Sequence, residues 1–411
     1  MALLSVNEAL ERVLLATQTL EKKTINLRDI GIHQVLAQDI FAKRTQPPFR
    51  SSAMDGYAFR LNALSSIHYP LKIVGEAAAG QRFKGQIGLN EAVRIFTGAP
   101  VPDDADCVVI QENVTIEDND QIVLTKPPQW NANIRPEGGD FKTGECILKA
   151  GSVISPSALA LCAASGHAQI DVISCPRIAV LATGNELVLP DKQPSEDQII
   201  SSNSFGLMQL IRAHHCDVID LGIAKDDEKS IQSAIARAQQ EKADLLVTSG
   251  GVSVGEYDLV QKVLKEQGLE LNFWKVAMRP GKPLMFGHID GAYKMLALGL
   301  PGNPVSCLLT AHIFLIPILE KLSGRHYQAK TTSGILTNNL PKNGARKNFV
   351  RAKMKISDDG QYMVTPLLNQ DSSNLSILTK ANCLIIQEEH SDAIRMGESC
   401  SIFIPQGNLG F

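Results

Sequence analysis

The sequence predicts a multidomain α/β and β protein organised around a central α/β domain with a mostly parallel sheet. Three observations carry that expectation. At 411 residues the chain exceeds what one hydrophobic core serves. From Arg177 onward, strand-type and helix-type runs alternate. The segments on either side instead show short β-type runs broken by Gly, Pro and Asn.

Taken in order, residues 5–18 (SVNEALERVLLATQ) space apolar positions as a helix does, behind Ser5 as a cap with Glu8 three residues on. After a mixed segment at 25–41, KRTQPPFRSSAMDGYAF concentrates a Pro-Pro pair, two serines and an Asp-Gly step, which makes an irregular, exposed loop. Residues 70–135 read as a small β-rich domain. Residues 136–175 give two short strands and a helix that begins near Ser155-Pro156, with Pro at the favoured first position. That piece packs back on the N-terminal helix, since neither segment alone buries its apolar face. The expected domains are therefore a discontinuous one (1–45 with 140–175), an inserted β-rich one (46–139), the α/β domain (176–326) and a C-terminal β-barrel or sandwich (327–411). Within the α/β domain the expected strands are RIAVLAT, CDVIDLG, ADLLVTSGG, NFWKVAM, LMFGHI and MLALGLPGNP. The helices are SFGLMQLIRAHH, KSIQSAIARAQQE, DLVQKVLKEQG and PVSCLLTAHIFLIPILEKL.

Composition narrows the function classes. Lys plus Arg number 40 against 43 for Asp plus Glu, a net charge of -3, and no basic run interleaves with aromatics, so nucleic acid is not expected as a partner. The N-terminus lacks a signal peptide's basic region and apolar core, which predicts a cytoplasmic protein. No continuous apolar window of membrane length is expected, since even HIFLIPILEKL stops after a few residues. The eight cysteines include no CxxC pair and no partner histidine at finger spacing; they read as reduced thiols filling cores.

Three apolar strands end in small-residue turns: ATGNEL (Ala182 to Leu187), VTSGGVSVGEYD (Val247 to Asp258) and LPGNPVS (Leu300 to Ser306). Ligands of open α/β sheets bind at that edge, and Ser249, Gly250 and Gly251 would turn backbone N–H groups toward a phosphate. Asp258 either caps the following helix or, beside a phosphate loop, shares a divalent cation. Glu186 after the first strand is a solvated loop acid or a site carboxylate. Asp226 and Asp227, after another strand, serve capping or metal binding. Lys275, Arg279 and Lys282 surround a Pro-Gly turn as a cationic element able to hold an oxyanion. In LPGNPVS, Asn303 can cap and Pro304 starts a helix. Asp55, Thr97 and Asp140 sit on glycine-containing loops of the first third. His214 and His215 end a helix and interact with its dipole. GxGxxG, the P-loop pattern and HExxH are missing, and the residues assemble no nucleophile elbow with a Ser-His-Asp arrangement to build a reading on.

The segments SSAMDGYA, RIFTGAPVP, ATGNEL, TSGGVSVGEYD, RPGKP and LPGNPVS, in this order and across nearly the whole chain, resemble the bacterial molybdopterin molybdenumtransferase family. The resemblance implies a homodimer of four-domain chains with a molybdopterin-binding type α/β domain and a C-terminal β-barrel. It places the active site at the subunit interface, between the α/β domain of one chain and the inserted domain of the other. It implies Mg2+-dependent insertion of molybdate into adenylyl-molybdopterin with release of AMP, and transient contact with molybdopterin adenylyltransferase and acceptor molybdoenzymes. By motif, Asp55, Glu186, Asp226 and Asp258 are the implied catalytic carboxylates, with Asp226 and Asp258 on the metal. Thr97, Asp140, Ser249, Gly250, Gly251, Lys275, Arg279, Lys282, Pro301 and Pro304 are the implied binding residues. Three positions depart from the family's usual pattern: Asn185 where Asp is common, Arg279 where Lys is common, and Gly139 where an acid is common. Alternatives within the same fold are a molybdopterin adenylyltransferase, a non-catalytic scaffold, and tungstate in place of molybdate.

Overall fold

The computed structural model describes residues 3–64, 66–118, 120–251 and 259–405. The chain divides into two compact units, one of residues 1–23, 31–37 and 171–411, the other of 24–30 and 38–170.

The larger unit holds the α/β domain. Helix α1 (Val6–Ala16) starts at Ser5, whose Oγ accepts the Glu8 N–H at 3.2 Å, as the capping pattern requires. The sheet is built from β1 (Arg177–Thr183), β2 (Asp217–Ala224), β3 (Leu245–Ser249), β4 (Leu269–Trp274), β5 (Met285–Ile289) and β6 (Met295–Leu300), in the order β2-β1-β3-β6-β5-β4. The first four run parallel; β5 and β4 add as an antiparallel edge. Its helices are α2 (Asn203–Ala213), α3 (Glu228–Gln240), α4 (Leu259–Glu266), α5 (Pro304–Thr310) and α6 (Ile316–Leu322).

Strand β1 is buried on both faces, as a central parallel strand must be. Ile178 and Val180 join α1, α2 and α5 in one core, while Ala179 and Leu181 join α3 and α4 in another. The first core also takes Phe349, Leu384 and Phe403, so the α/β and C-terminal segments share apolar packing.

Two expectations need correction. Helix α1 buries Val6, Ala9 and Val13 in the α/β core, whereas the helix at 156–164 belongs to the other unit, so the expected packing of that piece on the N-terminal helix is not what the fold does. The segment Pro304–Leu322 is one continuous helical run long and apolar enough, by length and composition, to cross a membrane, contrary to the reading of that stretch as too short. It is a core helix: 89% of it is buried in the fold. It is also not uniform, because residues 311–315 form a π-turn between α5 and α6. That turn carries His312, whose Nδ1 is buried without a partner among the described residues and whose pKa burial pushes down to about 4. His214 is the C-cap residue of α2, and its Nδ1 lies 2.8 Å from Glu320 Oε1.

The C-terminal region closes on itself. Lys347–Ile356 pairs with both Tyr362–Pro366 and Cys383–Gln387, and Thr331–Leu336 with Ser399–Phe403 completes the ring, giving a barrel and not a sandwich. A short strand, Met278–Arg279, pairs parallel with Lys347–Asn348 and ties the RPGKP turn to this barrel.

In the other unit, Gly56–Phe59 lies between Glu91–Ile95 and Cys107–Ile110 in a six-stranded sheet with apolar packing on both faces. A helix at Pro156–Ala164 starts from Ser155, as read from the Ser-Pro step. All eight cysteines are free; six are buried, whereas Cys146 is exposed and Cys175 partly so.

Candidate active site

Strands β1, β3 and β6 are parallel neighbours, so the turns after Thr183, Ser249 and Leu300 emerge at one edge. There they line a cleft of about 1740 Å³, whose opposite wall comes from the barrel. The first turn is shaped by Gly184, where a Cβ would stand 2.5 Å from Glu186 Oε2. Only glycine lets the Glu186 carboxylate fold back there. Gly250 has φ +96, and a Cβ on it would lie 2.7 Å from the Thr183 carbonyl oxygen. The second turn therefore fits against Thr183 only without a side chain at position 250.

Asn203, at the start of α2, ties the turns together. Its Nδ2 donates to Ser249 Oγ at 2.9 Å and to the Gly302 carbonyl at 2.7 Å. Its Oδ1, like Thr183 Oγ1, is buried with no hydrogen-bond partner among the described residues. Buried polar atoms are nearly always satisfied, so these two residues of the cleft wall keep unused bonding capacity. Asn303 holds the N-cap position of α5, as read, but its side chain makes no capping bond; its Nδ2 donates to Ser372 Oγ at 3.0 Å, across to the barrel side.

The acids divide by role. Asp227 is the N-cap of α3, accepting from the Ser230 N–H at 2.8 Å, so the capping reading holds for it. Asp226 is free of that duty and lines the cleft. Its Oδ2 accepts the Asn185 N–H and its own N–H donates to Asn185 Oδ1, both at 3.2 Å. Glu186 and Asp226 thus stand on adjoining loops. Arg279, Lys282 and Arg346 also line the cleft, and none has an ion-pair partner among the described residues. Three uncommitted cations over glycine turns form an anion-binding surface.

Of the residues read from sequence, the cleft brings together Glu186, Asp226, Ser249, Gly250, Gly251, Arg279, Lys282, Pro301 and Pro304. Lys275 is not among its lining; its Nζ lies over the Trp274 ring, 3.8 Å from the centroid. Asp258 lies outside the described residues. Asp55, Thr97 and Asp140 belong to the other unit. There Asp55 Oδ1 accepts from both the backbone N–H and the hydroxyl of Thr97 at 2.7 Å. These bonds, and the nearby Arg94, hold its pKa below the usual carboxylate value. Arg94 is itself stacked between Tyr57 and Phe96. Asp140 is exposed, its N–H donating to the Gln46 carbonyl at 3.0 Å.

Sequence reasoning missed Asn203 and the whole barrel wall. The loop Asn369–Ser373 is held from below by Arg351, 1% exposed, which donates to the Asp371 carbonyl at 2.8 Å and to the Asn369 carbonyl at 3.4 Å. Asp371 Oδ1 accepts from the Ser373 N–H and hydroxyl, which lowers its pKa. A single NQDSS segment between short strands carries no signal of this in isolation.

A glycine-turn α/β domain facing a barrel across a cleft defines a multidomain α/β and β protein, and comparison with known proteins names its parts. Residues 4–166 match the MoeA N-terminal region (domains I and II), 179–321 a probable molybdopterin binding domain, and 333–404 the MoeA C-terminal region (domain IV). The chain is 38% identical to the molybdopterin molybdenumtransferase of Haemophilus influenzae over 96% of each chain. It is 32% identical to that of Staphylococcus aureus strain COL, over 98% of this chain and 96% of that one. A crystal structure of the molybdopterin biosynthesis MoeA protein of Pyrococcus horikoshii superposes with a TM-score of 0.84 at 28% identity, covering 99% of this chain and all of that one. The chain belongs to the molybdopterin molybdenumtransferase family, a family of transferases.

Proposed function

We propose that the protein inserts molybdate into adenylyl-molybdopterin, releasing AMP and yielding molybdenum cofactor. The observation that carries this reading is the convergence of Arg279, Lys282 and Arg346 with the Ser249-Gly250-Gly251 and Pro301-Gly302 turns on one cleft. A pterin phosphate joined to an adenylate, together with an oxyanion, is rich in negative charge, and three uncommitted cations offset it where it accumulates during anhydride cleavage. Glu186 and Asp226 supply only carboxylate oxygens, a donor set that fits a hard divalent cation such as Mg2+. Such an ion would neutralise phosphoanhydride oxygens. In this reading Asn203 and Thr183 orient the bound molecule through their orphan oxygens, and Asn303 fixes one loop of the cleft against the barrel.

The reading includes a homodimer in which Asp55, Thr97 and Asp140 of one copy serve the α/β domain of the other. It also includes cytoplasmic action between a molybdopterin adenylyltransferase and acceptor molybdoenzymes. The test is to incubate purified protein with adenylyl-molybdopterin, Mg2+ and molybdate, following AMP release and reconstitution of a cofactor-free molybdoenzyme. Both signals are expected, with loss in Asp226→Asn. Mixing Asp55→Asn with Asp226→Asn should restore part of the activity if each site draws on two copies. Substrate binding without either signal would overturn the catalytic reading.

A further inference from the structure

The antiparallel edge of the α/β sheet carries a second polar cluster, remote from the cleft. Glu270 on β4 and His288 on β5 are direct cross-strand partners, and Asp290 follows β5 at once. Strand β6 ends at Leu300, and Pro301 just after it lines the cleft, whereas His288 pairs with Leu296 and Ile289 with Met295, at the other end of the same strand. The cluster therefore lies at the opposite end of the sheet.

His288 Nε2 is 3.3 Å from Glu270 Oε2 and 3.3 Å from Asp290 Oδ2. The three ligand atoms all fall within 4.8 Å of one another. A single proton on Nε2 can point at only one of the two oxygens. The spacing matches two ligand atoms sharing an ion: bonds of about 2.0–2.1 Å opened to a tetrahedral angle set the atoms about 3.3 Å apart. One imidazole with two carboxylates is the donor set of a borderline divalent metal.

The surroundings support such a site. Two ligands sit on paired strands, and the third is held at the strand end by its N–H bond to the Gly268 carbonyl at 3.2 Å. Lys294 Nζ is 3.4 Å from Asp290 Oδ1, the oxygen not facing the imidazole, so it orients the carboxylate without occupying the ligand position. Glu270 is 73% exposed and free to close on an ion.

We propose that Glu270, His288 and Asp290 form a surface site for a Zn2+-like divalent cation, with a fourth coordination position open to water. The bound ion ties edge strand β4 to β5 and is separate from the chemistry of the cleft.

The test uses the full chain, stripped with chelator and titrated with Co2+ as a spectroscopic probe and Zn2+ as competitor, beside His288→Ala and Glu270→Gln. Expected are a tetrahedral Co2+ absorption that Zn2+ displaces, a loss of affinity of at least about tenfold in each variant, and a Zn2+-dependent rise of the unfolding midpoint in the unsubstituted chain only. Circular dichroism checks that both variants fold. Unchanged Co2+ affinity in both folded variants would overturn the proposal, as would a thiolate-to-cobalt charge-transfer band showing that cysteine holds the ion, or the absence of any displaceable tetrahedral signal.

Discussion

Asn203 is the residue on which the geometry of the cleft turns, and replacing it by alanine separates that role from folding. Asn203→Ala removes two donors, one serving Ser249 Oγ at 2.9 Å and one the Gly302 carbonyl at 2.7 Å. Their losses differ. Gly302 is exposed, so water substitutes and the cost is small, whereas Ser249 is 3% exposed and keeps only a distant thiol donor, Cys307 Sγ at 3.9 Å. One buried bond and one exposed bond amount to about 1–2 kcal/mol, a modest shift of the urea midpoint. Activity should fall much further, because loops released by about 1 Å cost on the order of a hundredfold. The companion Asn203→Asp keeps the shape and lets the Ser249 hydroxyl donate, but turns an anion toward the Gly302 carbonyl and the bound phosphate. It should raise KM more than it lowers stability. The assay is kcat/KM for AMP release beside urea unfolding. A variant within twofold of the parent in kcat/KM, at a stability cost under about 0.5 kcal/mol, would refute the idea that Asn203 ties the turns together.

The other expected outcomes rest on separate features. Arg279→Ala and Lys282→Ala should each weaken adenylyl-molybdopterin binding about tenfold, an effect that shrinks with added salt; a binding titration at two ionic strengths checks it, and a salt-independent loss would argue against an electrostatic role. Arg351→Lys can satisfy at most part of the bonds to the Asn369 and Asp371 carbonyls and should cost about 2–4 kcal/mol, measured by thermal or urea unfolding. His312, buried and neutral with its pKa pushed from 6.5 down to about 4, gives a pH signature. Above pH 6.5 neither folded nor unfolded chain protonates it; as pH falls from 6.5 toward 4 the unfolded chain takes up the proton first, so stability drops by about 3 kcal/mol and then levels off. His312→Leu should remove that component, and an identical pH profile in the variant would contradict it.

How much of this was legible from sequence depends on whether the cause was local. The α/β rhythm was, because apolar periodicity and capping act within a few residues: Ser5 and Ser155 both cap their helices as read. The antiparallel edge β5-β4 was not distinguishable from further parallel strands, since a buried strand is apolar in either direction. Pro304–Leu322 was misjudged because Pro317 and Glu320 interrupt a hydropathy reading yet sit comfortably in a buried helix, Glu320 being paired with His214 and Arg325. Asn203, Arg346 and Arg351 were invisible for a different reason. Their importance comes from segments outside their own element: the partners of Asn203 lie 46 and 99 residues away, and the loop that Arg351 holds lies 18 to 20 residues on.

The asparagine at position 185 shows how such a reading is completed by geometry. From sequence it is a lost charge beside Glu186. In the fold its Oδ1 accepts the Asp226 N–H while its own N–H donates to Asp226 Oδ2. An aspartate could accept the first bond equally well, so the substitution preserves the clasp between the two loops. What changes is the electrostatics, because a carboxylate at 185 would stand beside the carboxylates of Asp226 and Glu186 and repel both. Asn185→Asp should therefore leave the loops in place, judged by an unfolding midpoint close to the parent's, while making the site more dependent on a divalent cation for activity. If the cation requirement is unchanged, Glu186 and Asp226 do not share the ion.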